Sequence, residues 1–121
     1  MEKVKMKRFV LMLYFLGFAL PVAADSPADA GLAEVRELGQ LNGQSLACSH
    51  AQAASRIKRI IIDHAPKSRR YGEAFEAATS ESFLAQIKKD PAACPDMPAL
   101  TSQAEDAAAR LMAAVPAAAP Q

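Results

Sequence analysis

The stretch Ser49 to His64, SHAQAASRIKRIIIDH, carries the clearest periodicity in the chain and decides its fold class. Ala53, Ala54, Ile57, Ile60, Ile61 and His64 fall in one stripe, while Gln52, Ser55, Arg56, Arg59 and Asp63 lie opposite. A repeat of this kind specifies an amphipathic helix, from about His50 to His64. Ser49 is placed to cap it, because a serine hydroxyl accepts from amides of a first helical turn. Pro66 ends it, since the residue before a proline is pushed out of the helical region, and Pro66-Lys67-Ser68 reads as a connector.

Working outward, the same spacing recurs on both sides. Toward the N-terminus, Leu32, Val35, Leu38, Leu41 and Leu46 define a helix from about Gly31 to Cys48. Gly39 and Gly43 interrupt it. A glycine inside a helix costs up to about 1 kcal/mol relative to alanine, so the pair marks either a break or a close helix contact that a side chain would block. Toward the C-terminus, Ser68 is placed to cap a helix whose face carries Tyr71, Ala74, Phe75, Ala78 and Ser82. At Thr79-Ser80-Glu81 the phase slips, because Phe83, Leu84 and Ile87 leave that stripe, which predicts a fresh short helix stopped by Asp90-Pro91. Pro91 to Pro98 is a constrained loop, and Asp96 is placed to cap a last helix carrying Leu100, Ala104, Ala107, Leu111 and Val115. No segment alternates as a strand does. The expectation is an all-α fold, a small bundle of four or five helices spanning 31–115 as one helical domain, with a flexible tail at 116–121.

Before the bundle stands an export signal. Lys3, Lys5, Lys7 and Arg8 form a positive n-region, Phe9 to Leu20 an unbroken apolar run, and Pro21-Val22-Ala23-Ala24 a small-residue cleavage region. The apolar run falls short of the ~20 residues a membrane-spanning helix needs. Residues 1–24 are therefore expected to be a cleaved signal peptide, with a polar lead-in at 25–30, no stable membrane anchor afterwards, and a periplasmic or secreted location. Cleavage after Ala24 leaves 97 residues with ten basic and twelve acidic side chains. That balance removes the footing of a nucleic-acid-binding reading.

Cys48 and Cys94 are the only cysteines in the chain. An even count in an oxidising compartment predicts a disulfide. Closing a loop of 47 residues should stabilise by about 4 kcal/mol through lost loop entropy in the unfolded chain. The competing use of these residues is a soft-metal site for copper, with Cys48, His50, Cys94 and Met97 as ligands; oxidation of the cysteines would consume both thiolates. His50 and His64 do not make a joint site, because fourteen residues of helix separate them by roughly 21 Å. No nucleophile elbow, paired-carboxylate arrangement or glycine-rich phosphate loop is present, so an enzyme is not expected and no cofactor is implied.

The strongest surface feature is charge. Arg56, Lys58, Arg59, Lys67, Arg69 and Arg70 crowd into fifteen positions, with Tyr71 as an aromatic neighbour. Arg56, Arg59, Lys67, Arg69, Arg70 and Tyr71 form the candidate partner-binding patch, and the competing reading is a solvated face whose charges pair with Glu73 and Glu76. The expected function is that of a small exported, non-enzymatic accessory or binding protein contacting a protein or an anionic envelope component. In size, export, helix content and a single cysteine pair enclosing much of the core, the chain resembles the small periplasmic acid-stress chaperones. That architectural resemblance implies an alternative, a stress chaperone whose apolar stripes are uncovered when carboxylates and histidines protonate.

Overall fold

A computed structural model describes residues 29–116; the leader 1–24, nearly all of the lead-in and the last residues of the tail lie outside them. Among the described residues four α-helices follow in order: α1 (Leu32–Ala47), α2 (Ala51–His64), α3 (Arg69–Ile87) and α4 (Met97–Ala114), with a 3-10 turn at Pro91–Ala93 before α4. Among the described residues there is no strand. The pairing of α1 with α3 is parallel, Gly39 meeting Phe75 and Ala78 and Gly43 meeting Thr79 and Phe83. Toward α4 the pairing is antiparallel, Gly31 at the start of α1 lying against Leu111 and Val115. The helix α1 packs against all three others, and α2 also packs against α4.

The stripes read from the sequence are largely the faces that meet, except that Leu46 of the first stripe is 42 % exposed and His64 of the second faces solvent, each at the end of its helix. Val35, Leu38, Ile57, Leu100 and Leu111 are wholly buried, and Leu32, Leu41, Ile60 and Tyr71 close around them. Between these large residues the core is built of alanine, with Ala53, Ala104, Ala107 and Ala108 all buried. Small side chains bring helix axes together but remove little apolar surface each, at ~25 cal/mol per Å². Truncating any of the wholly buried leucines should therefore cost about 2–5 kcal/mol.

The glycines of α1 serve a close contact. The helix runs unbroken through both, and an added Cβ at Gly39 would sit 2.6 Å from the Phe75 carbonyl oxygen and 2.7 Å from the Ala78 Cβ. Along the same seam Ser82 Oγ donates to the Gln40 carbonyl at 2.6 Å and Asn42 Nδ2 donates to Thr79 Oγ1 at 3.2 Å. This seam also corrects the expectation of a break at Thr79-Ser80-Glu81: α3 is continuous across it. Thr79 Oγ1 donates to the Phe75 carbonyl at 2.9 Å, one turn back in its own helix, so the hydroxyl supports the helix instead of capping a new one. The phase slip is real but has another cause. The contact face of α3 runs over Ala78, Thr79 and Ser82, and the larger Leu84 and Ile87 are left exposed.

Ser49 is the second correction. Its φ of 61° places it in the left-handed region, where it ends α1 and does not cap α2. The His50 amide donates to the Ser45 carbonyl at 2.8 Å and the Ser49 amide to the Leu46 carbonyl at 3.2 Å, the paired bonds of a Schellman C-terminus. The N-cap of α2 is His50, whose side chain makes no capping bond. Ser68 and Asp96 take the N-cap positions of α3 and α4, but only Asp96 caps with its side chain, accepting from the Ala99 amide at 2.8 Å, whereas Ser68 makes no side-chain capping bond.

Candidate functional site

Two ends of the bundle carry chemistry. At one end Cys48, following α1, is joined to Cys94, following the 3-10 turn, with their Cα atoms 5.8 Å apart. Around the bridge, Gln86 of α3 donates weakly to Cys94 Sγ at 3.8 Å, and His50 Nε2 lies 3.0 Å from the Pro95 carbonyl oxygen. A carbonyl only accepts, so that nitrogen of His50 carries the proton. The loop before α4 is thus tied to the α1–α2 junction by one covalent bond and one hydrogen bond.

This arrangement leaves the copper alternative without its ligands. Both sulfurs are spent on each other, His50 Nε2 is turned to a carbonyl, and Met97 opens α4 as a part-exposed residue. Among the described residues no group of three or more His, Cys, Asp and Glu side chains could hold a metal ion.

The second site is the cationic stretch along α2 and into α3. Its members fall into different settings. Arg56 faces α4, where its Nε and Nη2 grip Glu105 at 2.6 and 3.2 Å in a two-point ion pair. The Arg56 hydrogen bonds hold the Glu105 carboxyl below its ordinary value, assisted by the guanidinium charge and opposed by partial burial. Lys67 turns back over the end of α2, its Nζ donating to the Ile62 carbonyl. There the ammonium meets the negative end of the helix dipole. Arg69 pairs with Glu73 at 3.2 Å one turn along α3, with nine-tenths of its side chain still in water, and Arg70 reaches Asp29 at 2.6 Å.

Arg59 stands on the outer face of α2 with Lys58, and neither has an ion-pair partner among the described residues. Tyr71 does not join this surface: it is 6 % exposed, and its hydroxyl donates to the Ala30 carbonyl at 2.9 Å. Its ring spans apolar core and polar N-terminal backbone, a placement that suits an amphipathic aromatic better than display does. Of the proposed acidic counter-ions Glu73 is used, Glu76 forms no ion pair among the described residues, and Glu105 and Asp29 were not foreseen because they come from distant segments.

Sequence reasoning passed over Ile62. It is 64 % exposed, more than any other large aliphatic residue described, and lies one turn from Lys58 and Arg59. The signal for it was its position off the stripe that Ile57, Ile60 and Ile61 define. A shallow groove of about 270 Å³ lies between α1 and α3, lined by Gln40, Gln44, Ala78, Glu81 and Ser82. No protein-family model, no curated protein and no solved structure matches this chain.

Proposed function

We propose that this is a small accessory protein of the periplasm or the extracellular space, without enzymatic chemistry, that contacts a protein or an anionic envelope component through the stretch from Arg56 to Arg70. The observation that carries the reading is charge segregation. From Ser55 to Arg70 six basic residues accompany a single acidic one, Asp63. Lys58 and Arg59 face solvent without an ion pair among the described residues. The pairs made by Arg69 and Arg70 are exposed, a kind worth about 0–1 kcal/mol, so an anionic partner can displace them. The export half of the reading rests on the Lys3 to Ala24 leader, removed by cleavage after Ala24, and is supported by the covalent pairing of Cys48 and Cys94, since disulfides persist in oxidising compartments. Affinity capture from envelope extracts tests it: wild type should recover a partner that the Arg59→Ala, Arg69→Ala, Arg70→Ala variant loses. Equal recovery by both refutes the basic stretch as the contact.

A second reading, the stress chaperone, is favoured by how α4 is held. Glu105 pairs with Arg56 of α2, and Glu37 of α1 receives Arg110 at 2.7 and 2.9 Å, so two ion pairs hold α4 against the bundle with its own Leu100, Ala104 and Leu111 buried. Acid protonates the Glu105 carboxylate, which Arg56 holds below its ordinary value, and so releases one of these latches. Dye binding and client protection that rise below about pH 4 would support it; their absence, with the fold retained, removes it.

A further inference from the structure

We infer that the outer face of α2 is a docking surface for an anionic phospholipid bilayer, an inference that rests on the cationic-contact reading above and names its partner. Ser55, Lys58, Arg59 and Ile62 recur at three- and four-residue steps, and all four are exposed. The face is a single convex helix side, with two unpaired cations flanking one protruding aliphatic side chain. Beyond it, Lys67 and Arg69 extend positive charge past the end of the helix, with Asp63 as the one acidic residue within the stretch.

The composition of this face separates lipid from protein. Protein-binding patches are enriched in aromatic residues, methionine and arginine and depleted in lysine and serine, and of the enriched types the α2 face carries only arginine. Here the one nearby aromatic, Tyr71, is buried, and lysine supplies part of the charge. A bilayer surface demands less geometry. It attracts lysine and arginine alike, and it accepts an aliphatic side chain at the headgroup boundary. Charge complementarity orients the molecule as well. Outside residues 55–70, the part after Ala24 holds eleven acidic and four basic side chains, so an anionic surface repels the remainder while attracting α2. The docking is peripheral and reversible, because no helix among the described residues is long and apolar enough to cross a membrane.

The test is flotation of the oxidised protein, as purified from its host, with vesicles of phosphatidylcholine alone or with three parts in ten phosphatidylglycerol. Binding is expected only to the anionic vesicles and should be released by salt. Lys58→Ala with Arg59→Ala should lower the partition about 25-fold, at about fivefold per cation removed. Because the chain contains no tryptophan, Ile62→Trp supplies a clean reporter, and its emission should shift to the blue on anionic vesicles alone. Circular dichroism and melting of each variant at wild-type values establish that the fold is kept. Vesicle binding unchanged by the double replacement, or an Ile62→Trp emission that does not move, overturns the inference. If vesicles fail while the same replacements abolish capture of an acidic protein, the bilayer assignment falls and the accessory-protein reading stands. Failure of both assays removes both.

Discussion

Alanine at Gly43 and alanine at Gly72 are the same chemical change and should move stability in opposite directions. At Gly43 a Cβ would press against the Thr79 carbonyl oxygen and lie 2.7 Å from the Phe83 amide nitrogen and 2.8 Å from the Ser82 Cβ. The first two are backbone atoms of α3, so no rotamer change relieves them. Overpacking of this kind costs about 1–3 kcal/mol, and the gain in helix propensity returns up to about 1 kcal/mol. The net loss should be up to about 3 kcal/mol, which for a domain of this size lowers the melting temperature by up to roughly 24 °C. At Gly72, in the first turn of α3, a Cβ meets nothing within 4 Å. There only propensity and unfolded-state entropy act, so Gly72→Ala should stabilise by about 0.4–1 kcal/mol. Gly39→Ala meets the same α3 backbone one turn away, so the Gly39→Ala, Gly43→Ala double variant should lose less than the sum of its parts, since one separation of the helices relieves both contacts. Denaturant titration of the four variants provides the measurement. A Gly43→Ala variant as stable as Gly72→Ala would refute the close approach of α1 and α3.

Three further outcomes follow from individual contacts. Ser49 holds φ at 61°, a region that is strained for residues with a Cβ, so Ser49→Gly should raise stability by about 0.5–1 kcal/mol in chemical denaturation, whereas a true N-cap serine would lose stability on the same change. Replacing Cys48 and Cys94 together by serine should cost about 4 kcal/mol by the loop-entropy relation, seen as a lower denaturation midpoint under non-reducing conditions and no difference once dithiothreitol is present. Glu105 has its folded pKa held below its ordinary value, so its pair with Arg56 stabilises above the unfolded carboxylate range, near pH 4, and that contribution is lost as pH falls through the lower folded value. Melting curves of Glu105→Gln between pH 6 and pH 3 should therefore converge on wild type at the acid end; curves that stay parallel throughout would show that the pair contributes nothing.

What the sequence makes legible is the part of the fold written in periodicity. The stripes of α1, α2 and α4 become the buried residues Leu38, Ile57, Leu100 and Leu111, because large aliphatic residues on one helix face have nowhere else to go. The pairing of Cys48 with Cys94 follows from counting. Two kinds of feature stay hidden. The continuity of α3 depends on a partner helix: Thr79 reads as a helix starter in isolation and becomes a seam residue only when Asn42 stands opposite. Ser49 misleads for a related reason, since serine suits both an N-cap and a left-handed helix end and only the Ser45 and Leu46 carbonyls decide between them. The charged surface divides in the same way. Its composition is plain in the sequence, but which cations are spoken for depends on Glu105 and Asp29, brought there by folding from elsewhere in the chain.

That division separates stability from contact along one helix. Arg56 lies on the side of α2 facing α4, and its replacement frees Glu105 and loosens α4 as well as removing a positive charge. Lys58, Arg59 and Ile62 lie on the opposite side, away from the buried Ala53, Ile57 and Ile60, and their replacement leaves every described inter-helix ion pair in place. With seven of the sixteen buried hydrophobic residues described being alanine, the bundle has little apolar burial in reserve. Retaining an exposed isoleucine beside two uncompensated cations adds nothing to that core. In the docking proposed above, an anionic surface covers Ile62 and neutralises Lys58 and Arg59 in the same step, while the Arg56 pair that holds α4 stays untouched.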